Sequence, residues 1–405
     1  MRAGSSLGLL RAVVLPRAAA LLRAAALLPV VMIAGALALA APAAAQRFET
    51  RAEFAILIDA NTDTVLFAKN ADERMAPASM AKLLTSAVVF DALKIGRLRA
   101  EDEFQVSERA WRDGGAKSGG STMFAKLGST IKIEDLVRGI VIQSGNDACI
   151  IVAEGMAGTE ATFADLMNQE ARKIGLTHSH FTNATGLPDP DQYTTARDLA
   201  KLAEYIITEF PDHYALYSEP EFTWNKIRQR NRNPLLEMNI GADGLKTGHT
   251  EESGYGLVGS AVRDGQRLIV VINGTKSEKE RAEEARKLLE WGFRAFERVQ
   301  LFDNGEEIGQ ATVFGGDAGS VGVVSKGALD LLLPVGSRDQ IKAQIVYQGP
   351  IQAPVEEGQE IGILRVTTSE GMTKEAPVYA ASDVGVGGLR DRALDGVKEL
   401  LLGWW

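Results

Sequence analysis

Three short stretches of this chain hold residues whose types and spacing could do chemistry. In Ser79-Met80-Ala81-Lys82 a hydroxyl and an amine stand three positions apart. On a helix that spacing brings them one turn apart on the same face. A serine hydroxyl is a weak nucleophile at neutral pH until a neighbouring base takes its proton. A lysine can be that base when burial or a second cation lowers its pKa. Taken alone, the pair reads first as a helix N-cap serine followed by a surface lysine. The second stretch, Ser144-Gly145-Asn146, falls in a polar break between two apolar runs. The third, Lys246-Thr247-Gly248, starts just before an apolar run that opens at Tyr255. A turn serine and a surface lysine are the default readings of each. Together they supply a nucleophile, a base, a second hydroxyl, an amide and a second cation. The chain's four histidines do not suggest a Ser-His-Asp arrangement.

The elements around these stretches can be read from hydrophobic spacing. Residues 55–59 and 64–67 are apolar runs joined by Ala60-Asn61-Thr62-Asp63, the pattern of an antiparallel hairpin. Residues 81–98 predict a helix that is apolar nearly all round, hence buried. Residues 113–121 are glycine-rich but lack the Gly-Lys-Ser/Thr ending of a phosphate loop; a tight, mobile surface loop is expected. Helices are expected over 133–142 and 148–156, flanking the Ser144 stretch, and over 163–174. Another should span 195–209, with Thr195 as N-cap and Asp198 at capping-box spacing. Strands over 255–262 and 268–274 meet at Asp264-Gly265, a strong hairpin turn, and a charged amphipathic helix follows over 277–297. Strands open and close this region with helices between them. That order predicts an α+β domain, an antiparallel sheet covered by helices, not a doubly wound parallel sheet.

Composition shifts near residue 298. Short strand-like runs at 312–314, 321–324, 330–333, 341–347, 361–366 and 376–380, separated by turn residues, predict a small all-β domain. From 387 to 405, Leu389, Ala393, Val397, Leu400, Leu401 and Trp404 recur at helical spacing, and the chain ends in Trp404-Trp405. This amphipathic helix is expected to lie on a membrane surface, with packing on the β-domain as the competing reading. At the other end, Arg2, Arg11, Arg17 and Arg23 precede or flank an apolar run at 27–41, and Ala43-Ala44-Ala45 forms a small-residue cleavage site. Residues 1–45 therefore read as a secretory signal, with Gln46 opening the mature chain, over an uncleaved anchor.

The first 45 residues carry four arginines and no acid, so the remainder is four units more acidic than the whole chain's net charge of −9. So acidic a protein is a poor nucleic-acid binder. Hydrophobic and charged fractions of 45% and 24% are those of an ordinary folded chain. The single cysteine, Cys149, excludes an intramolecular disulfide and sits in an apolar run as a core residue. No His-x-x-x-His or cysteine pairing marks a zinc site, so no metal is expected. His178 and His180 read as structural or exposed.

Ser-x-x-Lys, Ser-x-Asn and Lys-Thr-Gly in this order resemble the signature of penicillin-binding proteins and class A β-lactamases. Here Gly145 stands where those β-lactamases carry Asp. The surrounding text is similar to one family, the low-molecular-mass penicillin-binding proteins of the D-alanyl-D-alanine carboxypeptidase type. The resembling stretches are Arg138-Gly139-Ile140, Gln143 through Cys149, Asn225 through Gln229, Asn231-Arg232-Asn233, Asp243 through Thr250, and Leu288 through Phe293. The resemblance implies a signal peptide at 1–45, a serine peptidase domain at 46–298, a β-domain at 299–382 and an anchoring helix at 383–405. It implies Ser79 as nucleophile, Lys82 as base and Ser144 as proton relay to the leaving group. It implies that Asn146, Lys246, Thr247, Gly248, His249 and Arg232 bind substrate, with the backbone N–H groups of Ser79 and His249 as oxyanion hole. The implied substrate is the peptidoglycan stem pentapeptide. β-Lactams are implied as acylating mimics, and no cofactor is implied. The implied location is the periplasm, on the outer face of the inner membrane. Two enzymes of the same fold remain open: an endopeptidase, and a serine β-lactamase whose deacylating Glu-x-x-x-Asn pattern is matched only by Glu221 and Asn225 between Asn146 and Lys246. A catalytically idle wall-binding protein is the reading from another class, and three intact motifs argue against it.

Overall fold

A computed structural model describes residues 48–335, 341–368 and 373–389. The expected signal peptide, and all but the first residues of the expected C-terminal helix, lie outside the described residues. Strands β1 (Phe54–Asp59) and β2 (Thr64–Lys69) form the predicted hairpin. Helix α1 (Lys82–Lys94) follows a 3-10 turn over Ala78–Ala81. It stops four residues before the predicted end, because Gly96 adopts φ 72° and closes the helix in the left-handed region. A small hairpin, β3 (Glu103–Gln105) and β4 (Thr130–Lys132), leads into α2 (Ile133–Val141), α3 (Asn146–Ala157) and α4 (Glu160–Ile174).

In α5 (Ala196–Glu209) the Thr195 hydroxyl accepts from the Asp198 N–H, as predicted. The Asp198 carboxylate does not complete a capping box; it accepts from the His178 N–H and the Ser179 hydroxyl. After the short α6 (Pro211–Tyr214) comes a second small hairpin, β5 (Glu221–Trp224) and β6 (Ile227–Arg230). Strands β7 (Ala242–Thr250), β8 (Gly254–Arg263) and β9 (Gln266–Thr275) then complete the main sheet, and α7 (Glu278–Ala295) closes the domain. Asp264 and Gly265, both at positive φ, make the β8–β9 turn.

The main sheet runs β2-β1-β9-β8-β7, antiparallel throughout. Both its faces are buried. Ile56, Val258, Ile269 and Val271 face the core shared with α1 to α5, whereas Ala55, Leu57, Leu257, Val270 and Ile272 face α7. Strands covered on both sides read as continuous apolar runs, which is why 255–262 and 268–274 show so little alternation.

The all-β region matches the expected strands and adds two: β10 (Phe296–Phe302), which pairs with β13 (Leu329–Pro334), and the two-residue β15 (Ile351–Gln352). The larger sheet also contains β11 (Glu307–Phe314), β12 (Ser320–Val324), β14 (Ile341–Tyr347), β16 (Glu360–Thr368) and β17 (Thr373–Ala380), in the order β14-β16-β17-β12-β11-β15. No linker precedes β10; it starts where α7 ends, so residue 298 lies inside a strand. Alternation along β13 joins the two regions. Leu331 and Leu333 enter the β-domain core, and Leu332 between them enters the core beneath α7.

Candidate active site

The 3-10 turn before α1 carries Ser79. The residue before it, Ala78, is held at φ 47°, a conformation that costs an alanine energy and needs support. Gly186 supplies the room, since a Cβ there would come within 1.9 Å of the Ala78 carbonyl oxygen. Lys82, 1% exposed, begins α1. Its Nζ lies 2.9 Å from Ser79 Oγ and 2.5 Å from the Thr185 carbonyl oxygen. That carbonyl is aimed by an Asx turn: Asn183 Oδ1 accepts from the Thr185 N–H, the Thr185 hydroxyl and the Gly186 N–H.

Ser144 sits between α2 and α3 at φ 65°, its N–H bonded to the Ile140 carbonyl. Asn146 opens α3 and donates its backbone N–H to the Ser121 carbonyl at 2.7 Å. Next to it, the fully buried Asp147 carboxylate accepts from the Thr122 hydroxyl and from the N–H groups of Met123, Ala125 and Ala148. The glycine-rich segment is a surface loop over 116–120, as expected, but it is anchored at two points. It starts at the end of a π turn over Ala110–Gly114. Gly114 lies on the Asp147 backbone, where a Cβ would come within 2.4 Å of N, and Gly120 lies on the Asn146 amide. Glycine there permits close contact with the second motif.

Lys246, Thr247 and Gly248 lie inside β7, not before a strand. This strand is the sheet edge nearest the Ser79 turn. A Cβ on Gly248 would come within 3.1 Å of Ala78 Cβ and 3.2 Å of Met80 N. Glycine there lets β7 pack on the Ser79 turn. Lys246 is buried and donates to the Thr247 carbonyl at 2.9 Å. The exposed His249 ring stacks on Tyr255 at 3.8 Å.

A cleft of 720 Å³ collects Ser79, Ser144, Asn146, Arg232, Thr247, Gly248 and His249 in its lining. Lys82 and Lys246 stand behind that surface. Burial pushes the Lys82 pKa down to about 8, and the Arg232 guanidinium pushes the same way. Burial also holds Lys246 well below the ordinary lysine range, with Lys82 and Arg232 adding to the effect. Cys149, packed in α3, has its thiol pushed up to about 12 by burial and stays neutral where Lys82 titrates. Glu221 pairs with Arg228 on the β5–β6 hairpin, and Asn225 forms the hairpin turn at φ 47°. Neither lines the cleft, so this match is a hairpin feature. His178 and His180 are exposed, and among the described residues no group of acids, histidines and cysteines could hold a metal.

Sequence reasoning passed over Thr185, Gly186 and Asp147. Asn183-Ala184-Thr185-Gly186 carried a turn signal, since Asn bonds its own following backbone and Gly takes positive φ. It also passed over Arg230 and Arg281 in the cleft lining.

A three-layer domain that gathers these three motifs at one cleft, with a β-domain appended, has the architecture of the penicillin-binding serine peptidases. The chain belongs to the D-alanyl-D-alanine carboxypeptidase family: that family's profile matches residues 40–277, and that of the penicillin-binding protein 5 C-terminal domain matches 296–386. It is 39% identical to the D-alanyl-D-alanine carboxypeptidase DacC of Escherichia coli over 353 residues, 86% of this chain and 88% of that one. Penicillin-binding protein 5 of Haemophilus influenzae superposes with a TM-score of 0.76 at 38% identity, covering 84% of this chain and 99% of that one. The ampicillin-bound penicillin-binding protein D2 of Listeria monocytogenes matches at a TM-score of 0.54 and 28% identity, covering 61% and 99%.

Proposed function

We propose that this protein is a serine-type D-Ala-D-Ala carboxypeptidase that removes the terminal D-alanine of peptidoglycan stem pentapeptides through an acyl-enzyme on Ser79. One observation carries the reading: the Lys82 amine is buried between the Ser79 hydroxyl and the Thr185 carbonyl. A neutral amine has two N–H bonds and one lone pair. An N–H directed at the Thr185 carbonyl leaves the lone pair to take the Ser79 proton as its oxygen attacks the penultimate D-Ala carbonyl. The backbone N–H groups of Ser79 and His249 stabilise the oxyanion, each contributing about 3 kcal/mol. Ser144 passes the proton to the departing D-Ala amine, and Asn146 bonds the substrate amide. Thr247, with Arg232 beside it in the cleft lining and Lys246 behind, receives the terminal carboxylate. That carboxylate favours the charged form of Lys246, opposing the burial that lowers its pKa. Water then hydrolyses the ester.

A β-lactam offers the same carbonyl and carboxylate, acylates Ser79 and leaves slowly. We further propose export by residues 1–45 and a periplasmic location. The peptidase domain would span 46–298 and the β-domain 299–382, with attachment to the outer face of the inner membrane by 383–405. Among the described residues no helix is long and apolar enough to cross a membrane. The test is free D-alanine released from a peptide ending in D-Ala-D-Ala. Wild-type protein should release it and Ser79→Ala should not. Cleavage of crosslinked dimers without release from the free peptide would replace this reading with an endopeptidase.

A further inference from the structure

The cleft has a charged wall that the three motifs do not account for. On β6 the Gln229 side chain points inward, 4% exposed, and donates to the Met123 carbonyl at 3.2 Å. Strand alternation then turns its neighbours Arg228 and Arg230 to the opposite face. Arg228 is paired with Glu221. Arg230 lies directly across from Glu221 in register, but that carboxylate is engaged by Arg228, and among the described residues no acid pairs with Arg230. Arg230 nevertheless lines the cleft, as do Arg232 and Arg281, against the single carboxylate of Glu278. In a chain whose net charge is −9, this wall is locally cationic.

We infer that Arg230 is a specificity residue that receives a second substrate carboxylate, on the acyl-donor side of the scissile bond. The inference rests on the carboxypeptidase reading above. A leaving D-Ala has one carboxylate, which Thr247, Lys246 and Arg232 already take. Any further anion must belong to the donor part of the peptide. An uncommitted guanidinium on a pinned strand suits it, because the planar fork binds a carboxylate through two parallel bonds with little reorganisation. The favoured substrate is therefore a donor with an acidic group upstream of D-Ala-D-Ala, and an amidated donor is the poorer one.

The experiment compares two acetylated peptides ending in D-Ala-D-Ala, with Glu or Gln as the preceding residue. D-Alanine release is measured with the full protein, its Arg230→Gln variant and its Arg230→Lys variant. Wild type should prefer the Glu peptide in kcat/KM by about tenfold, the worth of one charge-assisted pair. That ratio should fall toward one in Arg230→Gln, recover in part in Arg230→Lys, and shrink at high salt. Covalent penicillin binding by each variant verifies that it is folded. Equal ratios in wild type and Arg230→Gln, or a loss shared equally by both peptides, would overturn the inference and leave the carboxypeptidase reading standing. No release from either peptide by wild type would overturn that reading and this inference with it.

Discussion

The two folded regions bury different things. The peptidase region hides Lys82, Ser144, Asn146, Asp147, Lys246, Thr247 and Arg281, each below 9% exposure, whereas from Phe296 onward Ser325 stands alone among the described buried polar residues. Burying a polar or charged group costs free energy unless it is bonded, and two like charges cost more still. The β-domain core of Val321, Val323, Leu364, Val366 and Val378 bears no such cost. The first region thus gives up stability to shape two lysine pKa values, and the core of the second is held by apolar packing. In the peptidase region, polar substitutions should act on chemistry; in the β-domain, apolar ones should act on stability.

The largest effect expected is at the nucleophile. Ser79→Ala should lower D-alanine release about 10⁶-fold, with little change in melting temperature. A residual rate above one-hundredth of wild type would break the comparison at its centre. The converse holds in the β-domain. Leu364→Ala, at a site 1% exposed, should cost about 2–5 kcal/mol of unfolding stability by denaturant titration and leave kcat/KM on a short peptide as in wild type. A parallel loss of activity would show that the second region shapes the cleft.

The pH dependence is smaller and sharper. In the proposed mechanism Lys82 acts as the neutral amine, and its pKa is lowered to about 8. Below pH 8 it is increasingly protonated, so the acylation rate of Ser79 by penicillin should fall about tenfold per unit of pH and level off above it. A flat profile between pH 6 and 8 would exclude Lys82 as the base. The smallest effect concerns Arg232, whose charge helps lower the Lys82 pKa. Arg232→Gln should move the inflection of that profile to higher pH; a shift to lower pH would contradict the electrostatics.

Most of the fold was legible because its signals are local. The two hairpins of the main sheet, the Thr195 cap and the alternation at 341–347 follow from turn chemistry and spacing within a few residues. The boundary at 298 was less so, since α7 runs into β10 without a linker, and β13 divides its side chains between two cores. The three motifs were legible as residue types, but what makes them a site is not local. Thr185 reaches Lys82 from 103 positions away. Gly186 makes room for Ala78, and Asp147 gathers the 122–125 loop. None of these contacts has a periodicity to betray it. The glycine-rich segment is exposed over 116–120, as expected, but its packing on the second motif was not legible for the same reason. Glycine marks both mobility and close approach, and only the position of Asn146 and Asp147 decides between them.

The most direct measurement maps the acyl adduct. Trypsin should release residues 75–82 as one peptide, in which Ser79 carries the single hydroxyl. After brief exposure to penicillin, the added mass should appear on that peptide, forming faster as the pH is raised toward 8. An adduct on the peptide that contains Ser144, or no adduct on a folded protein, would contradict Ser79 as the nucleophile.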